Sequence, residues 1–304
     1  MIKSFSKGDH MIIHGDILEV LKGSQIKNGS VDLIFADPPY NIGKNFNGRK
    51  DRWSSRTSYM KWCKEWLDLA IDKLKPNGSL YVMCATQFFA DFDILLRGKI
   101  EILSRIIWAY DSSGVQAKNN FGSLYEPIFF CVKDKYNYTF NSKDVLIHAK
   151  TGADRKLMDY RSNPPRLYND TKVPGNVWHF SRVRYRMEEY EIHPTQKPKI
   201  LLERIIKVST RRKGLVLDLF SGTFTTSSVA KDLNRKSIGI EISEDFVKIG
   251  LRRIDIRRSY KLEKLEKLKK PYVRKNKKIE SDEKGNATSA KVISLKKKKT
   301  VKVI

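Results

Sequence analysis

Cysteine and histidine are scarce in this 304-residue chain, and acidic residues are far outnumbered by basic ones. The three cysteines, Cys63, Cys84 and Cys131, are isolated and form no CxxC pair. That excludes a disulfide framework and a structural zinc site, and makes a reduced, intracellular protein the plain expectation. No run of about 18 apolar residues occurs, which argues against a membrane span. The opening MIKSFSKGDHMIIHGD lacks the long apolar stretch of a secretory signal. Two nucleotide signatures are missing as well: there is no GxGxxG, and no Gly-Lys-Ser/Thr closes a glycine loop.

What is abundant is positive charge. Sixty Lys and Arg face 34 Asp and Glu, a formal net charge of +26. From Arg252 onward 20 Lys and Arg stand against 6 Asp and Glu, so +14 belongs to that stretch and about +12 to the rest. A lysine-rich tail with few apolar residues reads as disordered. The excess on the remainder points to a polyanionic partner. With 40% apolar residues the chain can build one large domain plus an insertion.

Strands and helices alternate, which predicts an α/β protein with a parallel sheet. Val31–Ala36, Ser79–Ala85, Leu103–Tyr110, Glu126–Val132, Leu215–Phe220 and Ser237–Ile242 read as strands. Tyr59–Leu74, Phe88–Leu96, a stretch opened by Pro198, and Thr225–Leu233 read as helices, and Lys75–Gly78 as the turn closing the first. KLEKLEKLKK, from Lys261, reads as a charged helix. From 133 to 192 the periodicity dissolves. Between Lys133 and Arg186, 12 basic residues outnumber 5 acidic ones, with eight aromatics among them. Such side chains hold phosphates and stack on or read bases.

Two stretches carry candidate chemistry. In LVLDLFSGTFTTSSVA a buried strand ends on Asp218, turns at Gly222 and opens a helix, as at the ligand edge of open α/β sheets. Twenty-three residues on, the strand SIGIEIS ends on Glu241, placed to accept hydrogen bonds from a ribose diol. An Asp–Glu pair with one glycine suits a nucleoside with a small cationic tail better than a pyrophosphate. S-adenosylmethionine is such a ligand; an ordinary βαβ turn is the competing reading.

The second stretch, FADPPYNIG, ends a strand on Asp37 and two prolines that stiffen the turn. Beside a methyl donor it would present an acceptor for an exocyclic amine. Such an amine is a poor nucleophile until its hydrogens are drawn away from the ring plane. Asp37 and the Pro38 carbonyl can accept those hydrogens, with Pro39 holding the geometry and Tyr40 offering a stacking face. A base inside a duplex is out of reach, so it has to be flipped out. Methylation at cytosine C5 needs a cysteine nucleophile, and no cysteine here follows a proline.

DPPY (37–40), HPTQKP (193–198), DLFSGTFTT (218–226) and GIEIS (239–243) together resemble the motifs of amino DNA methyltransferases, in the order of the permuted β class. Longer matches, including YDSSGVQAK, KVPGNVW and RVRY, are similar to the YhdJ-type solitary adenine methyltransferases. The resemblance implies a Rossmann-like S-adenosylmethionine-dependent methyltransferase fold. Residues 1–132 would form the catalytic half of the core, 133–192 an irregular target-recognition insert, 193–258 the cofactor half and 259–304 a basic tail. It also implies that Asp16 approaches the cofactor adenine, that Thr195 and Lys197 border its methionine end and that Phe220 packs on its ring. Ala36, Ser221, Gly222, Thr223, Phe224 and Thr225 complete the candidate cofactor set. Leu219 replaces a common proline, and Phe224 stands where the family often has a second glycine, so it either narrows the methionine pocket or packs under the helix.

By that resemblance the substrate is adenine N6 in duplex DNA, within a palindrome such as ATGCAT, and the protein is cytoplasmic at the nucleoid. No metal is implied; homodimer formation and a restriction–modification partner stay open. The rival acceptors are cytosine N4, an RNA base or a protein glutamine amide. A catalytically silent DNA-binding protein is the rival of another class. The single-glycine turn disfavours a nicotinamide dehydrogenase. Trp62 and Trp66 read as core, His193 as a turn residue, and the basic loop Asn41–Arg56 as a contact to the DNA backbone.

Overall fold

The computed structural model describes residues 2–46, 49–111 and 118–256. The stretch from Lys261 and most of DSSGVQAK lie outside them. Strands β1 (Lys3–Lys7), β2 (His10–His14), β3 (Val31–Ala36), β4 (Leu74–Met83), β5 (Glu101–Ala109), β6 (Tyr125–Val132), β7 (Val177–His179), β8 (Leu215–Asp218) and β9 (Lys236–Glu241) share one sheet. Their order across it is β1-β2-β9-β8-β3-β4-β6-β5-β7. The helices that matter below are α1 (Ile17–Lys22), α2 (Arg56–Lys73), α3 (Phe89–Leu96), α4 (Lys199–Ser209), α5 (Thr225–Asp232) and α6 (Glu244–Arg253).

The sheet is mixed rather than parallel throughout. β2, β9, β8, β3 and β4 run parallel, but β6 is antiparallel to both its neighbours and β1 is antiparallel at the edge. Periodicity does not carry strand direction: YEPIFFCV is buried on both faces, as a parallel core strand would be. Along VDLIFA, Leu33 and Phe35 face one core with α4 and part of α5, while Ile34 and Ala36 face another with α1, α2 and α3. Helices therefore cover both faces. Each fully buried large apolar side chain in these layers contributes about 1.5–3 kcal/mol.

Lys75–Gly78 is an excursion inside β4 rather than a turn before it. Leu74 pairs with Val31 and Ser79 with Leu33, so four residues lie opposite one. Asp32, the residue opposite, receives Lys75 Nζ at 2.7 Å and the Leu215 N–H at 2.8 Å, tying the excursion to β8. In the 133–192 segment the described structure is a 3₁₀ turn, a short helix and two-residue ladders, apart from β7. β7 pairs with β5 and sends Trp178 into the core. Three residues are too few to show a period. Among the described residues no helix is long and apolar enough to cross a membrane.

One consequence governs the site. β8, from the second half of the chain, lies between β3 and β9. The turns after β3 and β8 therefore leave the same carboxyl edge of the sheet side by side.

Candidate active site

β3 ends at Ala36, and Asp37 opens the Asp-Pro-Pro-Tyr turn; β8 ends at Asp218 and enters the turn 219–224. Pairing of Asp218 with Phe35 brings the two together. The Leu219 N–H extends that pairing by donating to the Phe35 carbonyl at 3.1 Å. A proline at 219 would have no such donor.

Beside these turns lies a cavity of about 670 Å³. Asp16, Asp37, Pro38, Pro39, Tyr40, Thr195, Lys197, Phe220, Gly222 and Glu241 line it. Asp218, Ser221, Thr223 and Thr225 instead line an adjoining space of about 30 Å³, room for little more than water, which Asp37, Thr195 and Lys197 also border. Ala36 and Phe224 line neither. The Ala36 side chain shares the core face of Ile34, because strand side chains alternate. Phe224 adopts φ +58° and turns its ring under α6, against Ile12, Val247, Leu251 and Ile254. It packs under the helix and leaves the cavity open.

Asp37 is held from two sides. Tyr40 donates its hydroxyl to Asp37 Oδ1 at 2.7 Å, and Lys197 Nζ sits 2.6 Å from Oδ2. Glu126, on β6, is the alternative acceptor for that one hydrogen, 3.0 Å from the Tyr40 hydroxyl, and lies 3.5 Å from Lys197 Nζ. Burial pushes the Asp37 carboxyl above its ordinary range, the Lys197 ammonium offsets this only in part, and Glu126 pushes it further up. Burial alone would lower Lys197, but Asp37 and Glu126 outweigh it and hold the ammonium charged. The turn itself is pinned: Tyr59 donates to the Pro39 carbonyl at 2.9 Å, and the Tyr40 N–H to Asp51 Oδ2 at 3.1 Å.

At the other end of the cavity Asp16 caps α1, accepting from Leu18 N–H at 2.9 Å. Glu241 accepts from Gly222 N–H at 2.8 Å and Ser243 N–H at 2.7 Å. Burial still raises its carboxyl to about 7, against the lowering effect of those bonds. Gly222 has φ +49°, and a Cβ there would come within 3.0 Å of His193 Nε2. His193 accepts from Thr195 N–H at Nδ1 and packs edge-on against Phe246. Burial, Lys197 and Lys44 depress it to about 3, so it is a neutral spacer at physiological pH.

The sequence model of a family described as DNA methylase matches residues 31–252. The chain belongs to the DNA methylase family. It is 54% identical over 259 residues to the DNA adenine methyltransferase YhdJ of Escherichia coli K12, an alignment covering 85% of this chain and 87% of that protein. It is 32% identical over 250 residues to the type II methyltransferase M.HpaI of Haemophilus parainfluenzae, covering 81% and 74%. Among solved structures, the cytosine-N4-specific PvuII DNA methyltransferase superposes with a TM-score of 0.61 at 18% identity, covering 88% of this chain and 94% of that one. The M1.HpyAVI–SAM complex superposes at 0.57 with 22% identity, covering 81% and 99%. At those identities the structural matches establish the fold: a Rossmann-like methyltransferase core.

Several residues of this DNA methylase's cavity escaped the motif reading. Trp62 packs against the core, as expected, and also reaches the cavity. Trp66 is fully buried, but Trp62, one turn earlier on α2, reaches the cavity wall 5.8 Å from the Phe220 ring. The loop after Tyr40 forms another wall through Lys44, Phe46, Asp51 and Trp53. Asp51 is the one acid among the five bases of Asn41–Arg56, and that isolation was its only signal. Glu126 lines neither space but reaches Tyr40 and Lys197 behind the cavity wall, and it is a lone carboxylate opening an apolar strand, a signal of the same kind.

Proposed function

We propose that this DNA methylase is a site-specific DNA adenine N6-methyltransferase that uses S-adenosylmethionine and acts on a base turned out of the duplex. The observation that carries the reading is one of placement. Asp37 and Pro38, acceptors for an amine, share a cavity with Glu241 and Gly222, acceptor and cradle for a nucleoside, on the edge of one sheet. The kinship with YhdJ supports adenine in DNA as the substrate. A DNA substrate puts the work at the nucleoid, in the cytoplasm, and the irregular 133–192 segment is the candidate reader of target sequence.

The cavity fits the cofactor. Its volume falls within the range of roughly 300–1,000 Å³ usual for such ligands. Glu241 spends one lone pair of each oxygen on backbone N–H groups, which leaves acceptors for a ribose diol. Ile17, Leu18, Trp62 and Phe220 supply apolar walls for an adenine ring. Gly222 lets the turn approach His193, whose ring a Cβ would crowd at 3.0 Å.

S-adenosylmethionine supplies an electrophilic methyl on a sulfonium, whose C–S bond breaks as the new N–C bond forms. The protein's part is to prepare the amine. Asp37 and the Pro38 carbonyl accept its two hydrogens, and the stiff Pro38-Pro39 turn keeps both acceptors aimed without reorganisation. Asp37, its carboxyl raised by burial, is placed to receive the proton that N6 sheds after transfer. Tyr40 offers its ring to the base. Lys44, half-buried and depressed by burial, Lys197 and Arg182, belongs to a cationic rim suited to the phosphates of the extruded nucleotide.

The test is transfer of labelled methyl to unmethylated duplex DNA, followed by digestion to nucleosides, with ATGCAT the first site to try. Label is expected in N6-methyladenine. The Asp37→Ala variant should lose at least about a hundredfold in rate while holding the cofactor within a few-fold. Equal loss of rate and cofactor affinity would remove Asp37 from its assigned role. Label in N4-methylcytosine would keep the chemistry and change the base. Cofactor binding without any transfer to DNA would overturn the reading.

A further inference from the structure

We infer that Glu126 is a positioning residue for methyl transfer: it takes over Lys197 when the amine of the incoming base claims Asp37. The inference rests on the reading of Asp37 as the amine acceptor.

Both oxygens of Asp37 are already engaged, Oδ1 by the Tyr40 hydroxyl and Oδ2 by the Lys197 ammonium. An oxygen locked to an ammonium is a weaker acceptor for a neutral amine, because the cation draws its lone-pair density. Each oxygen keeps a second lone pair, but Oδ2 accepts the amine at full strength only when Lys197 gives way. It has nowhere in water to go: its side chain is only 6% exposed. A buried ammonium stripped of its partner is strongly unfavourable.

Glu126 provides the alternative. Its Oε2 is 3.5 Å from Lys197 Nζ, beyond a good hydrogen bond but less than an ångström from one. The same oxygen lies 3.0 Å from the Tyr40 hydroxyl, whose single hydrogen can turn to it from Asp37, and Oε1 lies 3.5 Å from the Tyr110 hydroxyl. Both groups that hold Asp37 thus have a second acceptor within reach. The topology explains why. β6 runs against its neighbours, so its first residues, not its last, stand at the carboxyl edge where β3 ends. A parallel strand here would have put Glu126 at the far edge of the sheet.

The charge balance favours the same exchange. Two carboxylates and one ammonium leave the buried cluster with a single negative charge. That surplus complements the positive charge that begins on the sulfonium and passes to N6 as the N–C bond forms and the C–S pair returns to sulfur. With Glu126 holding Lys197, the free negative charge resides on Asp37, beside N6, where the proton is later shed. A purely structural Glu126, serving only the two tyrosine hydroxyls, would need no charge.

The discriminating variant is Glu126→Gln in the full-length protein, which keeps the size and a hydrogen-bond acceptor and removes the charge. Single-turnover transfer should slow by about 10- to 100-fold, with S-adenosylmethionine affinity and KM for duplex DNA within about threefold. Glu126→Asp, which keeps the charge on a shorter stem, should recover part of the loss and stands in if the glutamine variant does not fold. In a Lys197→Met background, Glu126→Gln should cost no more than about twofold, because the group it positions is gone. A Glu126→Gln rate within twofold of wild type, or losses that multiply in the double variant, would overturn the inference and leave the adenine reading standing. Wild-type protein that binds cofactor and modifies no base would sink both.

Discussion

Asp218 carries a carboxyl group into a place with almost no water, only 3% exposed. Burial raises it to about 7, against the lowering influence of Thr226 and of the Phe220 N–H that it accepts at 3.1 Å. The folded protein therefore keeps this proton up to about pH 7, whereas the unfolded chain gives it up near the ordinary 3.8. Across that window acidification favours the folded state. The contribution is complete below the unfolded value and is lost as pH rises through the folded one. Above it, the native state bears an ionised buried carboxylate at a cost on the order of a few kcal/mol. Asp218→Asn keeps the bond from Phe220 and can donate to the Thr226 hydroxyl. Without ligand it should melt several degrees above wild type at pH 8, with the gap closing toward pH 5. A gap independent of pH would mean that Asp218 is not the titrating group. Asp218 stood out from sequence as a charge at the end of an apolar strand, yet its place in the small adjoining space did not. Strand ends can be read from composition; which of two neighbouring cavities a carboxylate enters depends on the turn's backbone.

At the scale of elements, the turn 219–224 and helix α6 are built around one ring. Phe224 sits in the left-handed region, uncommon for a bulky side chain and strained by about 1–2 kcal/mol. Burial of the ring holds it there. Two glycines make the room: a Cβ on Gly239 would meet the ring at 2.7 Å, and one on Gly250 of α6 would overlap it outright. Replacing an exposed helical glycine by alanine stabilises a helix by about 1 kcal/mol. Here the sign should reverse, Gly250→Ala costing about 1–3 kcal/mol through overpacking. Adding Phe224→Leu should recover part of that loss, and thermal melts of the two singles and the double would show the coupling. Additive losses would argue against contact between the two positions. The sequence left both placements of Phe224 open, because a phenylalanine in a glycine-turn motif looks the same whether it faces the cofactor or a helix. The reversal of β6 was equally hidden, since burial on both faces says nothing about direction. The neighbourhood of the DPPY and Asp218 strands, by contrast, was expected on chemical grounds, since an amine acceptor site has to lie beside the methyl donor, and the two strands do pair.

For the whole molecule, the formal charge of +26 is the quantity that links sequence to substrate. Much of it follows the last strand in sequence, in a stretch that includes the run Lys296–Lys299. Those lysines have no part in the cavity chemistry argued above. Their expected role is in the affinity for any duplex, through phosphate contacts that release condensed counterions. Each contact adds roughly 0.9 to the slope of log affinity against log salt on B-DNA. Changing Lys296, Lys297, Lys298 and Lys299 together to glutamine should lower that slope by up to about 3.6 if all four touch phosphate. Nonspecific affinity near 50 mM salt should fall with it, and the preference for target over random duplex should stay unchanged, because phosphate contacts do not read sequence. Single-turnover rate at saturating DNA should also hold, since Asp37, Pro38 and Glu126 are untouched. An unchanged salt slope would mean that the run stays off the DNA and that the cationic rim around Lys44 and Arg182 carries the electrostatic grip.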